Sequence, residues 1–598
     1  MSQHFSYELP FGAALRDRSR ARFRLWAPAQ QRVDLAIEGA APQPMTAASG
    51  WFEADIDCAP GVRYRFQLQD GRRVPDPASR FQPDDVHGPS AVVDPRAYQW
   101  RHGRWSGRPW EETVIYELHA GVCGGYDGVA ARLPQLVELG VTALELMPIG
   151  EFSGARNWGY DGVLPYAPES TYGAPERLKA LVDAAHGHGL MMFLDVVYNH
   201  FGPDGNFLPL YAPQFFREDV QTPWGAAIDF RHREVRDFFI HNALYWLLEY
   251  RFDGLRFDAV HAIHDDSFMD ELAATVRGRV EAGRHVHLML ENEHNEACRL
   301  ERAGRSGFDA QWNDDAHNAA HVLLTGETEG YYRHYADAPA ARLARCLAEG
   351  FAYQGETPAG DCPAASADPN PGKRGSRSAH LPPTAFIFFL QNHDQVGNRA
   401  LGGRLITLVA PPALRAAAAL QLLCPYIPLL FMGEEWGSRT PFLYFTDFRD
   451  RLAASVREGR RREFARFKAF ADPARRSAIP DPNSGETFCR SMPDEPGDDH
   501  WREFYRQLLR LRARHLTPRL RGAAAMGAAP LGQAGVTAAW RLGDGAVLRI
   551  AANFGAHGLR LTAAPEPLLF ESQPGAASAA AAGELPGFAS CVWLDARS

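Results

Sequence analysis

Residues 175–200, PERLKALVDAAHGHGLMMFLDVVYNH, contain the pattern that decides the fold. The first half spaces its apolar residues three and four positions apart, which is typical of an amphipathic helix. The second half is a short apolar run that ends in Asp195, Asn199 and His200, and its length suits a buried strand. A helix that leads directly into a buried strand indicates a parallel α/β architecture.

The same alternation extends in both directions from this segment. Eight β-rich runs alternate with longer helical stretches, and eight such units close a parallel sheet into a (β/α)8 TIM barrel. We predict this α/β fold. A doubly wound open sheet is the alternative, but it would favour an early GxGxxG turn, which is missing after the first run. The eight runs are VIYELHA (114–120), TALELMPI (142–149), LMMFLDVVYNH (190–200), FDGLRFDAV (252–260), VHLMLENE (286–293), FDAQWNDD (308–315), FIFFLQNHD (386–394) and IPLLFMGEE (427–435).

Two β-rich regions flank the predicted barrel, which takes residues 106–515 with an insertion at about 200–230. Short alternating runs such as ARFRLWAP (21–28) predict a carbohydrate-binding-like N-terminal β-sandwich over residues 1–105. Runs such as AVLRIAANF (546–554) predict a small C-terminal β domain over residues 516–598. The Pro-, Ser- and Gly-rich stretch at 357–378 is interpreted as a flexible loop.

The composition argues against several classes of protein. A net charge of −9 is opposite to the basic excess of nucleic-acid binders. There is no apolar run long enough to span a membrane, and the N-terminus lacks the basic and apolar segments of a secretory signal. The eight cysteines are scattered singly, which argues against a disulfide framework or a structural zinc site. We therefore expect a cytoplasmic protein.

Charged side chains collect where the apolar runs end. In a barrel these ends share one rim, and that rim carries the active site. A single such ending is commonly a helix N-cap, but several carboxylates at one rim cost stability unless their charges are used. The charged residues at these ends are Asp195, Arg256 with Asp258, Glu291, Asp314 with Asp315, Asp394, and Glu434 with Glu435.

The fourth and fifth runs carry the most specific pattern. Arg256 and Asp258 are two positions apart, so strand alternation places both on one side, while Leu255 and Phe257 face the helices. A guanidinium keeps a neighbouring carboxylate ionised, as a glycosidase nucleophile must be; the alternative is a structural pair at the rim. Glu291 follows an apolar run, and a carboxyl group in a less polar setting can stay protonated as a general acid. Its alternative is a helix cap or a surface acid.

The spacing of adjacent strands suits a retaining glycosidase. Such enzymes need two carboxyl groups roughly 5–5.5 Å apart, and adjacent strand ends lie roughly 4.8 Å apart. Asp394 would then add negative potential beside the developing oxocarbenium ion. His200 and His393 could donate hydrogen bonds to a sugar, although a lone histidine near a strand end is more often structural.

Four short segments resemble, in order, the four signature regions of the α-amylase superfamily: DVVYNH (195–200), GLRFDAVHAI (254–263), ENE (291–293) and FLQNHD (389–394). The resemblance implies that Asp258 is the nucleophile, Glu291 the proton donor and Asp394 the transition-state stabiliser. It also implies that His200, Arg256 and His393 contact the substrate or the nucleophile. Tyr160, in NWGYDGV (157–163), matches the aromatic residue that stacks beneath the cleaved sugar.

Within the superfamily, further segments are similar to the malto-oligosyltrehalose trehalohydrolase family, among them MPIGEF (147–152), NHDQVGNRALG (392–402) and VREGRRREF (456–464). Such enzymes hydrolyse the α-1,4 bond next to the terminal trehalose of maltooligosyltrehalose and act together with a maltooligosyltrehalose synthase. The resemblance implies no cofactor and no metal ion, although Asn199 matches a calcium-ligand position of many α-amylases. The implied substrate-binding residues are Tyr160, His200, Arg256, Phe257, Ala259, Val260, His261, Asn313, Asp314, Asp315, His393, Gln395, Val396, Gly397 and Asn398.

Other functions stay open at this point. A glycogen branching enzyme shares the N-terminal β module and the three carboxylates, but it transfers the glucan to a sugar hydroxyl instead of water. A non-catalytic glycan-binding relative need not retain all three carboxylates. The collection of His, Asp and Glu could also hold a divalent metal at the barrel mouth. HEXXH, Walker A and GxSxG signatures are missing, so zinc proteolysis, P-loop phosphoryl transfer and α/β-hydrolase chemistry fit less well.

Overall fold

The computed structural model describes residues 4–17, 19–222, 225–301, 307–358, 372–494, 498–562 and 567–596. The eight apolar runs form eight parallel strands, and the last pairs with the first to close a barrel. This confirms the predicted (β/α)8 fold. The strands, β1 to β8 in chain order, are Ile115–Leu118, Ala143–Leu146, Met191–Val196, Gly254–Phe257, His287–Leu290, Ala310–Trp312, Phe386–Phe388 and Ile427–Phe431.

Helices follow or precede the strands as the amphipathic stretches predict. Pro175–Gly187 begins at a proline, whose fixed φ suits the first helical turn. Asp266–Arg279 begins after Asp265, whose side chain accepts a hydrogen bond from Phe268 N. Between β5 and β6 the described residues form only a short 3-10 helix, Ala297–Leu300. The other α-helices are Gly125–Leu139, Arg233–Leu248, Asp314–Thr325, Pro339–Glu349, His393–Gly397, Leu405–Leu408, Pro411–Leu423, Asp450–Phe464, Pro473–Ser477, Gly485–Cys489, Asp499–Leu511 and Ala576–Ala581.

The inside of the barrel is divided into an apolar part and a charged part. Strand alternation points every second side chain inward. Toward the amino ends of the strands the inward side chains are apolar, including Phe193, Met289 and Leu429. Toward the carboxyl ends they are charged and buried: Glu117, Glu145, Asp195 and Arg256, which we call the charged layer. The apolar part therefore lies between the charged layer and the amino-terminal end of the barrel.

Two antiparallel sheets precede the barrel, as the predicted N-terminal β-sandwich requires. They pack against each other through rings such as Phe23 and Tyr64, whose centroids lie 4.8 Å apart. One sheet contains Gly12–Leu15, Arg20–Trp26, Trp51–Asp57 and Thr46–Ala48. The other contains Gln43–Pro44, Val33–Ile37, Arg63–Leu68, Arg73–Val74 and Ser90–Ala91.

A third antiparallel sheet follows the barrel and matches the predicted C-terminal β domain. Its strands, in spatial order, are Ala524–Leu531, Gly535–Arg541, Val547–Asn553, Ser590–Asp595 and Leu568–Glu571. The described part of the chain also contains three two-stranded sheets: Gly150–Glu151 with Leu164–Pro168, Phe216–Thr222 with Gly225–Ile228, and Leu559–Arg560 with Glu584–Leu585.

The second of these small sheets, Phe216–Thr222 with Gly225–Ile228, belongs to the stretch predicted as an insertion at about 200–230. The domain boundaries at 105 and 515 stay predictions. The loop interpreted as flexible at 357–378 falls largely on residues 359–371, which lie outside the described residues. Within the described part of the chain we found no helix with the length and hydrophobicity that a membrane span requires.

Candidate active site

The guanidinium of Arg256, at the end of β4, connects the carboxylates of the predicted site. Its Nη1 donates to Asp195 Oδ2 at 2.7 Å and to Asp258 Oδ1 at 2.8 Å. Its Nη2 lies 2.8 Å from Glu291 Oε2, as an ion pair without the alignment of a hydrogen bond. The side chain is fully buried and stacks over Trp312, with its central carbon 4.2 Å from the ring centroid. One cation therefore brings Asp258 and Glu291 close together, with strand β5 next to β4.

Asp258 is held on both carboxylate oxygens. Arg256 donates to Oδ1, and Asn199 Nδ2 donates to Oδ2 at 2.7 Å. The same Asn199 amide also donates to the main-chain oxygen of Asp258 at 2.9 Å. A carboxylate with a donor on each oxygen keeps one orientation, and here a side-chain rotation would break both bonds.

The contacts that hold Glu291 converge on one carboxylate oxygen, Oε2. Its Oε2 accepts a hydrogen bond from the main-chain N–H of Ala259 at 2.7 Å. Ala259 has a φ of 40°, in the left-handed region that a non-glycine residue rarely adopts. This local turn follows β4 directly and aims the N–H at the neighbouring strand. Sequence reasoning placed Ala259 in a sugar subsite, whereas the structure shows its backbone positioning Glu291.

Asp394 lies at the start of the short helix His393–Gly397, after β7. Asn392 caps this helix by accepting from Asp394 N at 2.9 Å, and Asn398 Nδ2 donates to Asp394 Oδ1 at 3.1 Å. The exposed fractions of the three side chains are 11% for Asp258, 19% for Glu291 and 36% for Asp394. The three carboxylates therefore open progressively toward solvent at the carboxyl end of the barrel.

Tyr160 and His393 form a stacked pair beside these carboxylates, with ring centroids 5.1 Å apart. The Tyr160 hydroxyl donates to Asp195 Oδ2 at 2.6 Å and lies 2.8 Å from His393 Nε2. Burial raises the pKa of Asp195 to about 7, although Arg256 acts in the opposite direction. Burial also opposes the charge of His393, but the carboxylates of Glu117 and Asp394 outweigh it and raise the His393 pKa to about 9.

Further predicted binding residues surround this centre. Asp314 interacts electrostatically with Glu291 and Asp394, and burial followed by these carboxylates raises its pKa well above the ordinary value. His261 accepts from Glu293 N at 3.3 Å through Nδ1, on the rim beside β5. Partly exposed Gln395 follows Asp394 on the same helix. The structure brings these residues together at one end of the barrel.

His200 also lies at this end, but its ring nitrogens are engaged by protein. Nε2 donates to the carbonyl oxygen of Tyr160 at 2.8 Å, and Nδ1 contacts the side-chain oxygen of Asn199. In this arrangement His200 connects the backbone of Tyr160 to the amide that holds Asp258. A direct hydrogen bond to a sugar would require one of these contacts to open.

Several predicted binding residues are buried and contact protein atoms. Phe257 is fully buried and packs its ring against Tyr198 and Phe308, because strand alternation turns it toward the helices. Asn313 caps the helix Asp314–Thr325 and donates to Gly350 O at 2.8 Å. Val260 and Val396 are buried apolar side chains of the core.

Asp315 is a buried structural anchor. It accepts hydrogen bonds from Tyr335 Oη at 2.5 Å, from Asn295 Nδ2 at 3.1 Å and from Ala352 N at 2.8 Å, and Arg374 Nη2 lies 3.1 Å away. These contacts tie the loops after β5 and β6 together and leave no free face for a sugar. The prediction that Asp315 lines a subsite therefore finds no support in its placement.

Gly397 ends the short helix His393–Gly397, where a Cβ would come 2.1 Å from the ring of Trp158. Its carbonyl oxygen accepts from Arg460 Nη2 at 2.7 Å. Arg460 belongs to the VREGRRREF segment, whose position in the fold sequence reasoning did not predict. Glycine is required here by close packing, and a contact with substrate is not needed to explain it.

Two charged-layer residues were missed by sequence reasoning, Glu117 in β1 and Glu145 in β2. Each is an acidic residue in the middle of an apolar run, in VIYELHA and TALELMPI. That signal was present, since a carboxyl group on a buried strand must face either a partner or the barrel interior. Only the packed barrel shows that Glu117 contacts His393, which is 276 positions away in sequence.

The described residues contain no group of three or more His, Cys, Asp or Glu side chains arranged to hold a metal ion. Asn199, which matches a calcium-ligand position by resemblance, donates hydrogen bonds to Asp258 through its side-chain amide. The seven cysteines within the described ranges are all free thiols.

Comparison with known proteins identifies the family. The model of the alpha amylase catalytic domain matches residues 70–209, and a domain of unknown function, DUF3459, matches residues 523–593. A malto-oligosyltrehalose trehalohydrolase from Deinococcus radiodurans is 41% identical over 520 residues, which cover 84% of this chain and 82% of that protein. The chain belongs to the malto-oligosyltrehalose trehalohydrolase family. That membership makes it a glycosidase of the α-amylase family.

The chain is also similar to a solved structure and to a second kind of glucan-acting enzyme. A crystal structure of a Salmonella typhimurium protein described as an alpha amylase is 44% identical, with a TM-score of 0.90 and coverage of 98% of this chain and 100% of that chain. A 1,4-alpha-glucan branching enzyme from Kitasatospora aureofaciens is 35% identical over 267 residues, only 40% of this chain and 35% of that enzyme. The similarity to trehalohydrolases thus extends over about twice as much of the chain.

Proposed function

We propose that this chain hydrolyses the α-1,4-glucosidic bond next to the terminal trehalose of maltooligosyltrehalose, in the cytoplasm, and releases trehalose and a shorter maltodextrin. Membership of the trehalohydrolase family supports the substrate. The chemistry rests on one observation: Arg256 contacts both Asp258 and Glu291 at 2.8 Å. Two carboxyl groups gathered by one cation at the barrel mouth suit a double displacement that retains configuration.

In the first step, Asp258 attacks the anomeric carbon of the sugar on the maltodextrin side. Glu291 donates its proton to the glycosidic oxygen, so the bond breaks and trehalose leaves with its hydroxyl restored. The Asp258 ester is then attacked by water, and Glu291 takes the proton of that water. Asp394 lies beside the developing positive charge and stabilises it electrostatically.

Some of the surrounding residues orient the catalytic carboxylates, and others contact the sugar. Asn199 and Arg256 fix the two oxygens of Asp258, and Ala259 N orients Glu291. Tyr160 offers its ring as a sugar-stacking face, with its hydroxyl anchored on Asp195. We assign substrate contacts to His261, Asp314, Gln395 and Asn398, which line the open end. No metal and no cofactor takes part in these steps.

The substrate class has a consequence for the partners of this enzyme. An α-glucan with an α,α-1,1-linked end must be supplied by an enzyme that isomerises the terminal α-1,4 bond of a maltodextrin. We therefore infer that the chain works in sequence with a maltooligosyltrehalose synthase. Neither nucleic acid nor membrane is required for the reaction.

Product analysis tests the proposal against the branching-enzyme alternative. Wild-type protein incubated with maltotriosyltrehalose should release free trehalose, and with amylose it should form no new α-1,6 branches. The Asp258→Ala variant should lose hydrolysis by several powers of ten, because the covalent step is lost. Formation of branches without release of trehalose would assign the chain to glucan transfer, and equal behaviour of the wild type and the variant would indicate a binding protein.

A further inference from the structure

Glu117 makes two contacts with His393 in the buried interior of the barrel. Its Oε1 lies 2.5 Å from His393 Nδ1, and its Oε2 accepts from His393 N at 3.0 Å. Both side chains are at most 2% exposed. Glu117 belongs to β1 and His393 follows β7, so this pair joins two strands that are separated only by β8. It holds both the imidazole ring and the main chain of His393.

The remaining ring nitrogen of His393 faces the site. Nε2 lies 2.8 Å from the Tyr160 hydroxyl and 3.5 Å from Asp394 Oδ1. With Asp195 ionised, its Oδ2 accepts from both Arg256 and the Tyr160 hydroxyl, so the Tyr160 oxygen can only accept from Nε2. The carboxylate of Glu117 likewise can only accept from Nδ1. Both ring nitrogens must then carry a proton, which makes His393 an imidazolium.

The other charged groups around His393 do not supply this requirement. Among the described residues, Glu145 from β2 finds no hydrogen-bond partner for either carboxylate oxygen, and burial raises its pKa well above the ordinary value, which favours its uncharged form. Burial lowers the pKa of His119, after β1, to about 4. Arg256 from β4 repels a charge on the imidazole. Glu117 and the adjacent Asp394 are the carboxylates that favour it.

We propose that Glu117 is a positioning residue that keeps His393 protonated, so that Nε2 donates to the Tyr160 hydroxyl and the ring keeps its positive charge beside Asp394 and the bound sugar. Without Glu117, the buried ring loses a proton. A neutral ring that keeps its proton on Nδ1 presents a lone pair at Nε2 instead of a donor. The inference rests on the proposed function, since the sugar it positions is the one that Asp258 attacks.

A purely structural role for Glu117 makes different predictions. A buried carboxylate that only joins β1 to the loop after β7 would affect the unfolding temperature, with no effect on the pH profile of the active enzyme. A charge-setting role moves the pH at which the enzyme loses function. The pH profile therefore distinguishes the two roles, and the unfolding temperature alone does not.

The kinetic test compares Glu117→Gln and Glu117→Asp with the wild type on maltotriosyltrehalose from pH 5 to pH 10. Glu117→Gln should lower kcat/KM about 10- to 100-fold at neutral pH, the size expected for a lost charge-assisted hydrogen bond. Its alkaline limb should move to lower pH by about one unit or more. Glu117→Asp keeps the charge at a longer distance, so its rate and its alkaline limb should lie between the other two.

Glu435→Gln is the matched control. Glu435 is also buried, accepts from the hydroxyl of Tyr116, the neighbour of Glu117, at 2.8 Å, and has a pKa raised by burial to about 7. Its replacement removes a buried carboxyl group without touching His393. The control should keep the wild-type pH profile, whatever happens to its stability. A control that shifts the alkaline limb as far as Glu117→Gln would overturn the assignment.

A binding experiment removes the titration of Glu291 from the measurement. In the Glu291→Gln background, the affinity for maltotriosyltrehalose, measured by calorimetry, should weaken as pH rises through about 9, the pKa of His393. Adding Glu117→Gln should move this loss of affinity to lower pH. Unchanged pH dependence of the affinity in the double variant would overturn the proposal. If Glu117→Gln does not fold, Glu117→Asp takes its place, and a wild-type rate and pH profile in Glu117→Asp would overturn the proposal. Failure of the proposed function is distinguishable, because the wild type itself would then release no trehalose.

Discussion

Replacing Arg256 by lysine separates contacts that one guanidinium makes at the same time. Nη1 serves Asp195 and Asp258, and Nη2 serves Glu291, all within 2.7 to 2.8 Å. A lysine ammonium is a single point charge on a flexible stem and cannot span three carboxylates with fixed geometry. One lost hydrogen bond to a charged group costs about 1.5–3 kcal/mol, which corresponds to about a 10- to 100-fold loss in kcat/KM.

The assay is steady-state hydrolysis of maltotriosyltrehalose together with the unfolding temperature of each variant. Arg256→Met should hydrolyse more slowly and unfold at a lower temperature than Arg256→Lys. Buried carboxylates that lose their cation lower the free energy of unfolding by about 3–5 kcal/mol. Arg519→Lys is the control, because Arg519 contacts Asp544 at 2.6 Å in the C-terminal region, away from the barrel mouth. The activity of the Arg519→Lys variant should equal that of the wild type. Arg256→Lys with wild-type kcat/KM would refute the view that the shared guanidinium organises the site.

Three further outcomes follow from the same arrangement. Glu291→Gln should abolish turnover of natural substrates and leave binding intact, since the acid is lost while the shape is kept; wild-type turnover in this variant would remove Glu291 from its role. The reducing sugar that forms first should have the α configuration by NMR, whereas an initial β anomer would contradict double displacement. EDTA should leave the rate unchanged, because protein donors such as Asn199 hold Asp258; a rate restored by added Ca²⁺ after chelation would indicate a metal.

Local rules were enough to predict the fold and the central part of the site. The eight apolar runs gave the barrel, because burial of parallel strands demands such runs. Alternation placed Arg256 and Asp258 on one side and turned Phe257 to the other, as their contacts show. The resemblance extended a motif to whole segments and so included Phe257 among the binding residues, although alternation already argued against it.

The rest depends on contacts between residues that are distant in sequence. Asp315 stands next to Asp314 in a polar segment, and only the packed loops show that Tyr335, Ala352 and Arg374 surround it. Glu117 is one acidic interruption of an apolar run, and only the packed barrel shows its contact with His393, which follows the next strand but one. Sequence patterns show which residues are unusual for their element, and tertiary packing decides whether such a residue serves the substrate or the scaffold.

The central claim is that Asp258 is the nucleophile, held between Asn199 and Arg256. A 5-fluoro maltosyl fluoride forms a slowly hydrolysed glycosyl-enzyme with a retaining enzyme, and mass spectrometry of the digested protein locates the label. We expect the added mass on the peptide that contains Asp258, and no label in Asp258→Ala. A label on another carboxylate, with the Asp258 peptide unmodified, would contradict the account.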